Sequence, residues 1–155
     1  MISSKGFTFI ELLTVLAIIA IIASVSAPSF SNVIANNRLA STSNNILSTL
    51  QMARSEAVTQ RTAVKVCATN AGGTACGNST NWSAGVLIMR GTTVLRVVPT
   101  DNPTVTVQSS ANEVVYQGNG TSAATTISVN DSRGGTARTI KVNVVGQACG
   151  GSSCS

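Results

Sequence analysis

The hydrophobic pattern divides the chain into three stretches of different period. The first, 7–27, is a long apolar run with one charge, Glu11, near its outer end. About 20 apolar residues of helix cross a bilayer core, so the run predicts a membrane-spanning helix over 7–28. Pro28 lacks a backbone donor and crowds the preceding turn, which predicts a kink or a local opening there. The second stretch, 29–61, reads as an amphipathic helix. Ile46, Leu47, Leu50, Ala53 and Ala57 recur at spacings of three and four and share a face. Asn36, Arg38, Ser43, Asn44, Gln51 and Arg54 fall largely on the other sides. The apolar face needs a sheet to cover it.

From position 62 the period changes to two and β-branched residues dominate. Strands are predicted over 62–69, 82–90, 93–98, 104–108, 113–117, 125–130 and 139–145. Between them lie a Gly/Asn/Thr-rich loop at 70–81, a hairpin around Gly91, and turns at 99–103 and 131–136. The end of the chain, 148–155, reads as a small Gly/Ser-rich tail. The predicted class is α+β: a long N-terminal helix, membrane half plus amphipathic half, packed on an antiparallel β-rich domain at 62–155.

Glu11 changes the picture. A carboxylate in a membrane segment costs roughly 2.5–3.5 kcal/mol at the helix centre on insertion scales and usually has a partner. No Lys or Arg follows within the run, so the partner comes from elsewhere. A secretory signal peptide would have a shorter apolar region and a small-residue cleavage site. Ser24-Val25-Ser26-Ala27 offers small residues, but Pro28 follows directly and Glu11 interrupts the run. A plain anchor explains the length but neither the Gly6-Phe7 junction nor the carboxylate.

Gly6-Phe7-Thr8-Phe9-Ile10-Glu11-Leu12-Leu13 resembles the processing site of the type IV pilins and type II secretion pseudopilins. The resemblance implies that residues 1–6 are a leader. A prepilin peptidase would cut between Gly6 and Phe7 and methylate the new amine. Glu11 would pair with the N-terminal amine of a neighbouring subunit. It also implies a single pass through the bacterial inner membrane, with the globular domain in the periplasm and later in a pilus fibre.

Composition narrows the chemistry. The 155 residues suit one compact domain, and a formal charge of +5 is too modest to imply a nucleic-acid partner. There is no histidine, which removes Ser-His-Asp, Cys-His and His-metal sites. The acids Glu11, Glu56, Asp101, Glu113 and Asp131 are scattered, and no phosphate-binding loop is present. The soluble part reads as non-catalytic, with no cofactor and no metal.

Cys67, Cys76, Cys149 and Cys154 allow three pairings. In an oxidising periplasm disulfides persist, and the local pairing Cys67–Cys76 with Cys149–Cys154 is the preferred one. A metal site is the alternative, without C-x-x-C spacing or His to support it. Trp82 reads as core or edge packing ahead of a recognition residue. Arg133, Arg138 and Lys141 form one basic group, read first as a solvated strand face and second as a DNA phosphate site.

A second resemblance spans nearly the whole chain. Ala53-Arg54-Ser55-Glu56-Ala57, Ala63-Val64-Lys65-Val66-Cys67, Asn81-Trp82-Ser83-Ala84-Gly85-Val86, Asp131-Ser132-Arg133-Gly134 and Arg138-Thr139-Ile140-Lys141-Val142 are similar to the GspH/FimT family of minor pilins and pseudopilins. The pilus branch is the nearer. The resemblance implies a pilin-like fold, and a subunit of a tip or priming complex in type IV pilus assembly. The alternatives are a minor pseudopilin of type II secretion and a DNA-binding pilin for transformation. Implied partners are other minor and major pilins, the inner-membrane assembly platform, the prepilin peptidase and the membrane. DNA-binding members carry a C-terminal Gly-Arg-x-Arg motif. This chain has Gly146-Gln147-Ala148-Cys149 at the similar place and lacks both arginines.

Overall fold

The computed structural model describes residues 6–100 and 102–151, with residues 25–29 described in their backbone alone. One helix, α1, runs Phe9–Gln60 and is 52 residues long. Eight strands follow among the described residues: β1 Val64–Ala68, β2 Val86–Arg90, β3 Thr93–Val98, β4 Val105–Ser109, β5 Glu113–Tyr116, β6 Thr125–Asp131, β7 Arg138–Val142 and β8 Ala148–Gly150.

Both ends of α1 are capped by local chemistry. Thr8 is the N-cap, and its Oγ1 accepts the Glu11 backbone N–H at 3.3 Å. At the other end Arg61 takes the left-handed conformation, with φ of 51°. The Arg61 N–H reaches the Val58 carbonyl and the Thr62 N–H reaches the Ala57 carbonyl, a Schellman closure built without glycine. The backbone is α-helical without a break through Pro28, so the local opening expected there does not occur. A proline removes one hydrogen bond, and the intact turns on either side carry the helix past it.

The strands form two antiparallel four-stranded sheets, ordered β3-β2-β1-β5 and β4-β6-β7-β8. The C-terminal half of α1 lies against both. Leu39, Ile46, Leu50, Ala53 and Ala57 are buried in one cluster with Val64, Val66, Val107, Tyr116, Ile127, Val129 and Ile140, and Ala35 is buried one turn before them. Alternation follows the pleat in β4 and β6, where Val105, Val107, Thr125, Ile127 and Val129 point inward. In β2 it fails, because both faces are covered. Val86 and Ile88 join the main core, whereas Leu87 and Met89 pack with Cys67, Cys76 and Val94 on the outer side.

The outer cover is the 70–81 loop, held by a disulfide between Cys67 and Cys76. A bridge of this loop length stabilises by about 2–3 kcal/mol through the unfolded chain. Replacing both cysteines by Ala is therefore expected to lower the melting temperature by about 5–10 °C. Thermal unfolding of the variant against wild type, with and without reductant, checks this. Cys149 is also disulfide-bonded, while Cys154 lies outside the described residues.

Strand limits differ from the sequence reading in several places: β1 is shorter than 62–69, and β7 ends at Val142 instead of running to 145. Trp82, read as the start of β2, pairs with β4 together with the end of the 70–81 loop: the Trp82 N–H donates to the Val107 carbonyl and the Ser109 N–H to the Thr80 carbonyl. Gly85, at φ of 134°, then turns the chain into β2. Trp82 is fully buried, with Nε1 donating to the Ser79 carbonyl at 3.2 Å, in line with the packing role. At the C-terminal end, the tail reading over 148–155 needs correction. β8 pairs with β7 through Val142↔Ala148, Lys141↔Cys149 and Ile140↔Gly150. Ala, Cys and Gly carry no strand signal, so pairing partners alone create this strand.

Candidate assembly interface

Phe7 and Phe9 are 74% and 76% exposed, and Ile10, Leu12, Leu13, Val15, Leu16, Ile18, Ile19, Ile21 and Ile22 are exposed with them. Among the described residues nothing covers that half of α1. An apolar surface of this extent marks contact with another protein or with lipid. Among the described residues no helix is long and apolar enough to cross a membrane. The predicted span of 7–28 reaches into 25–29, whose side chains lie outside the description.

Glu11 sits in the first turn of α1, exposed, and makes no ion pair among the described residues. Gly6 precedes the helix. A Cβ built on it meets nothing within 4 Å. Among the described residues the fold therefore makes no demand for glycine at position 6. Phe7, Gly6 and Glu11 share one accessible end, as their sequence spacing requires.

The other end of α1 gives the block Ala53–Ala57 a structural role. Ala53 and Ala57 are fully buried against the sheets. Arg54 turns to the side, where Nε donates to the Gly120 carbonyl at 3.1 Å and Nη2 to the Val145 carbonyl at 2.8 Å. It thereby joins the loop after β5 to the turn between β7 and β8. Glu56 pairs with Arg90 of β2 at 2.7 Å. Helical periodicity puts Arg54 off the apolar face and gives it no partner. Its proximity to two glycine-containing turns was not visible from spacing.

Tyr116 lies near Arg54, fully buried, and its hydroxyl has no hydrogen-bond partner among the described residues. Desolvation by burial pushes it up to about 12, against the opposing pull of the Arg54 charge. The folded state thus holds the proton more tightly than the unfolded chain, whose tyrosine titrates near 10. Stability contributed by the neutral phenol is full below pH 10 and is lost as pH rises from 10 towards 12. Tyr116→Phe is expected to flatten that alkaline limb and to be neutral or slightly stabilising at pH 7, since an orphaned buried hydroxyl is removed. Urea unfolding at pH 7 and pH 11 checks both parts.

Arg133, Arg138 and Lys141 are all exposed. Arg133 lies on the turn after β6. Arg138 and Lys141 fall on opposite faces of β7 by strand alternation. They do not converge on one phosphate-sized point.

Family models match two parts of the chain: type II transport protein GspH over residues 42–146, and the prokaryotic N-terminal methylation motif over residues 1–27. The chain belongs to the GspH family. Two crystal structures of the type IV minor pilin FimU of Pseudomonas aeruginosa strain PAO1 share its fold. One has a TM-score of 0.59 at 23% identity, covering 77% of this chain and 96% of that one. The second has a TM-score of 0.54 at 21% identity, covering 72% and 90%. No curated protein matches. The architecture of this GspH-family chain is pilin-like α+β, and its family and fold are those of structural pilins.

Proposed function

We propose that the chain is a minor pilin that takes part in type IV pilus assembly within a tip or priming complex. Residues 1–6 form the leader, 7–28 the anchor and filament-core segment, and 29–61 with 62–155 the periplasmic unit. A prepilin peptidase cuts between Gly6 and Phe7 and methylates Phe7. The anchored chain then leaves the inner membrane by packing its helix among those of other minor and major pilins on the assembly platform. The soluble unit does no catalysis.

The observation that carries this reading is Glu11, a lone carboxylate in an exposed apolar helix continuous with the folded unit. Among the described residues it has no ion-pair partner, and the N-terminal amine of a neighbouring subunit would supply one. Co-purification of the cross-linked membrane complex tests the proposal. Pilins and pilus platform proteins are the expected partners, and secretion components alone would move the chain to the second reading. That reading, a minor pseudopilin of type II secretion, draws on the description of the matching family.

A further inference from the structure

We infer that the end of the globular unit nearest the apolar helix is a foot for anionic phospholipid, with Phe30, Val33 and Ile34 at the acyl–headgroup boundary and Arg133 and Arg138 on the phosphates. The inference rests on the membrane anchoring proposed above and assigns the globular unit its own contact with the bilayer. Phe30, Val33 and Ile34 are spaced i, i+3 and i+4, so they share a face. They are 67%, 55% and 48% exposed. They extend the bare apolar surface of α1 beyond Pro28. Helix positions 9 to 34 cover roughly 37 Å at 1.5 Å per residue, and a hydrocarbon core is about 30 Å thick. The last of these residues therefore stand at the interface.

At the same height the turn after β6 wraps the helix. A Cβ on Gly134 would lie 3.0 Å from Asn32 Oδ1, and one on Gly135 would lie 2.9 Å from Leu39 Cδ1. The Thr136 N–H donates to Asn36 Oδ1 at 2.9 Å. Arg133 is thus fixed at the level of Asn32, between the heights of Phe30 and Ile34. Arg138 begins β7 where the same turn ends. Arg38 is half-buried behind them and donates to Thr104 Oγ1 at 3.5 Å. Asp131 is the acid at this turn. Its Oδ1 accepts the Arg133 backbone N–H at 2.9 Å and its Oδ2 is buried, so the carboxylate is drawn inward from the arginine heads. Arginines at the same height as exposed apolar side chains, though on another side of the helix, suit a bilayer surface, where lipid supplies both phosphate and acyl chain. Duplex DNA supplies only the first.

The test uses the full chain with vesicles of phosphatidylcholine alone or with about one-third phosphatidylglycerol. Flotation with the neutral vesicles reports anchoring, and hydrogen exchange of the peptide 132–138 reports the foot. Each arginine near an anionic surface is worth about fivefold in local binding. Exchange is expected to slow by about fivefold or more when phosphatidylglycerol is present. The double variant Arg133→Gln, Arg138→Gln should lose the slowing yet still float, and Arg96→Gln, on β3, should keep it. Equal exchange in both lipids, with flotation intact, overturns the foot and leaves the anchoring. Failure to float with neutral vesicles overturns both. Equal slowing by duplex DNA at about 150 mM salt, with neutral vesicles, would reassign the arginines to DNA.

Discussion

Gly146→Ala is expected to destabilise the folded unit by roughly 3–5 kcal/mol, among the largest effects of any single methyl group in the chain. Two costs combine. Gly146 has φ of 75°, which a side chain rarely adopts, and its Cβ would lie 1.9 Å from the Gly120 carbonyl oxygen. That oxygen is backbone and accepts from Arg54, so it has no rotamer by which to withdraw. Any retreat would break the Arg54 tie between the two loops. Gly91→Ala is the matched control. Gly91 has φ of 58° but open space around it, so it reports the conformational cost alone, about 1 kcal/mol. Thermal melts of the purified chains should differ by about 5–15 °C between the two variants. Equal melting temperatures would mean that the two turns are not in contact.

Glu11→Ala is expected to leave membrane insertion intact or to improve it, because a buried carboxylate is removed. Recovery in sheared filaments should nevertheless fall by about tenfold or more, since breaking one side of a buried pair leaves the neighbour's amine uncompensated. Glu11→Asp should recover part of the loss. The combination of normal membrane level and lost incorporation separates a pairing role from misfolding. Glu11 lies far along α1 from the core residues Leu39 to Ala57, and its loss changes no contact of the folded unit. Normal recovery of Glu11→Ala in filaments would remove the pairing from the mechanism.

The long helix and β3, Thr93–Val98, were legible because period and punctuation agree there. The buried stripe of Ile46, Leu50, Ala53 and Ala57 follows the 3.6-residue period and appears in the structure as read. Legibility failed where a distant partner overrides local pattern. β2 has no alternation because the Cys67–Cys76 loop covers its outer face. Trp82 looks like the start of β2 but pairs with β4, which no local window contains. β8 consists of Ala148, Cys149 and Gly150 and exists through its ladder to β7. The motif around Gly6, Phe7 and Glu11 is linear in sequence, and the N-terminal methylation motif matches there, over residues 1–27. The role of Arg54 was not legible, since its two acceptors lie on turns 66 and 91 residues away.

The most direct measurement is the mass of the N-terminal peptide of the chain recovered from the membrane and from sheared filaments. Processing as a pilin predicts a peptide that begins at Phe7 and carries one methyl group on its amine, in both fractions. Gly6→Val should leave the peptide beginning at Met1, confined to the membrane. A mature chain that begins at Pro28, after the small residues Ser26-Ala27, would make the apolar run a signal peptide and contradict assembly through Glu11.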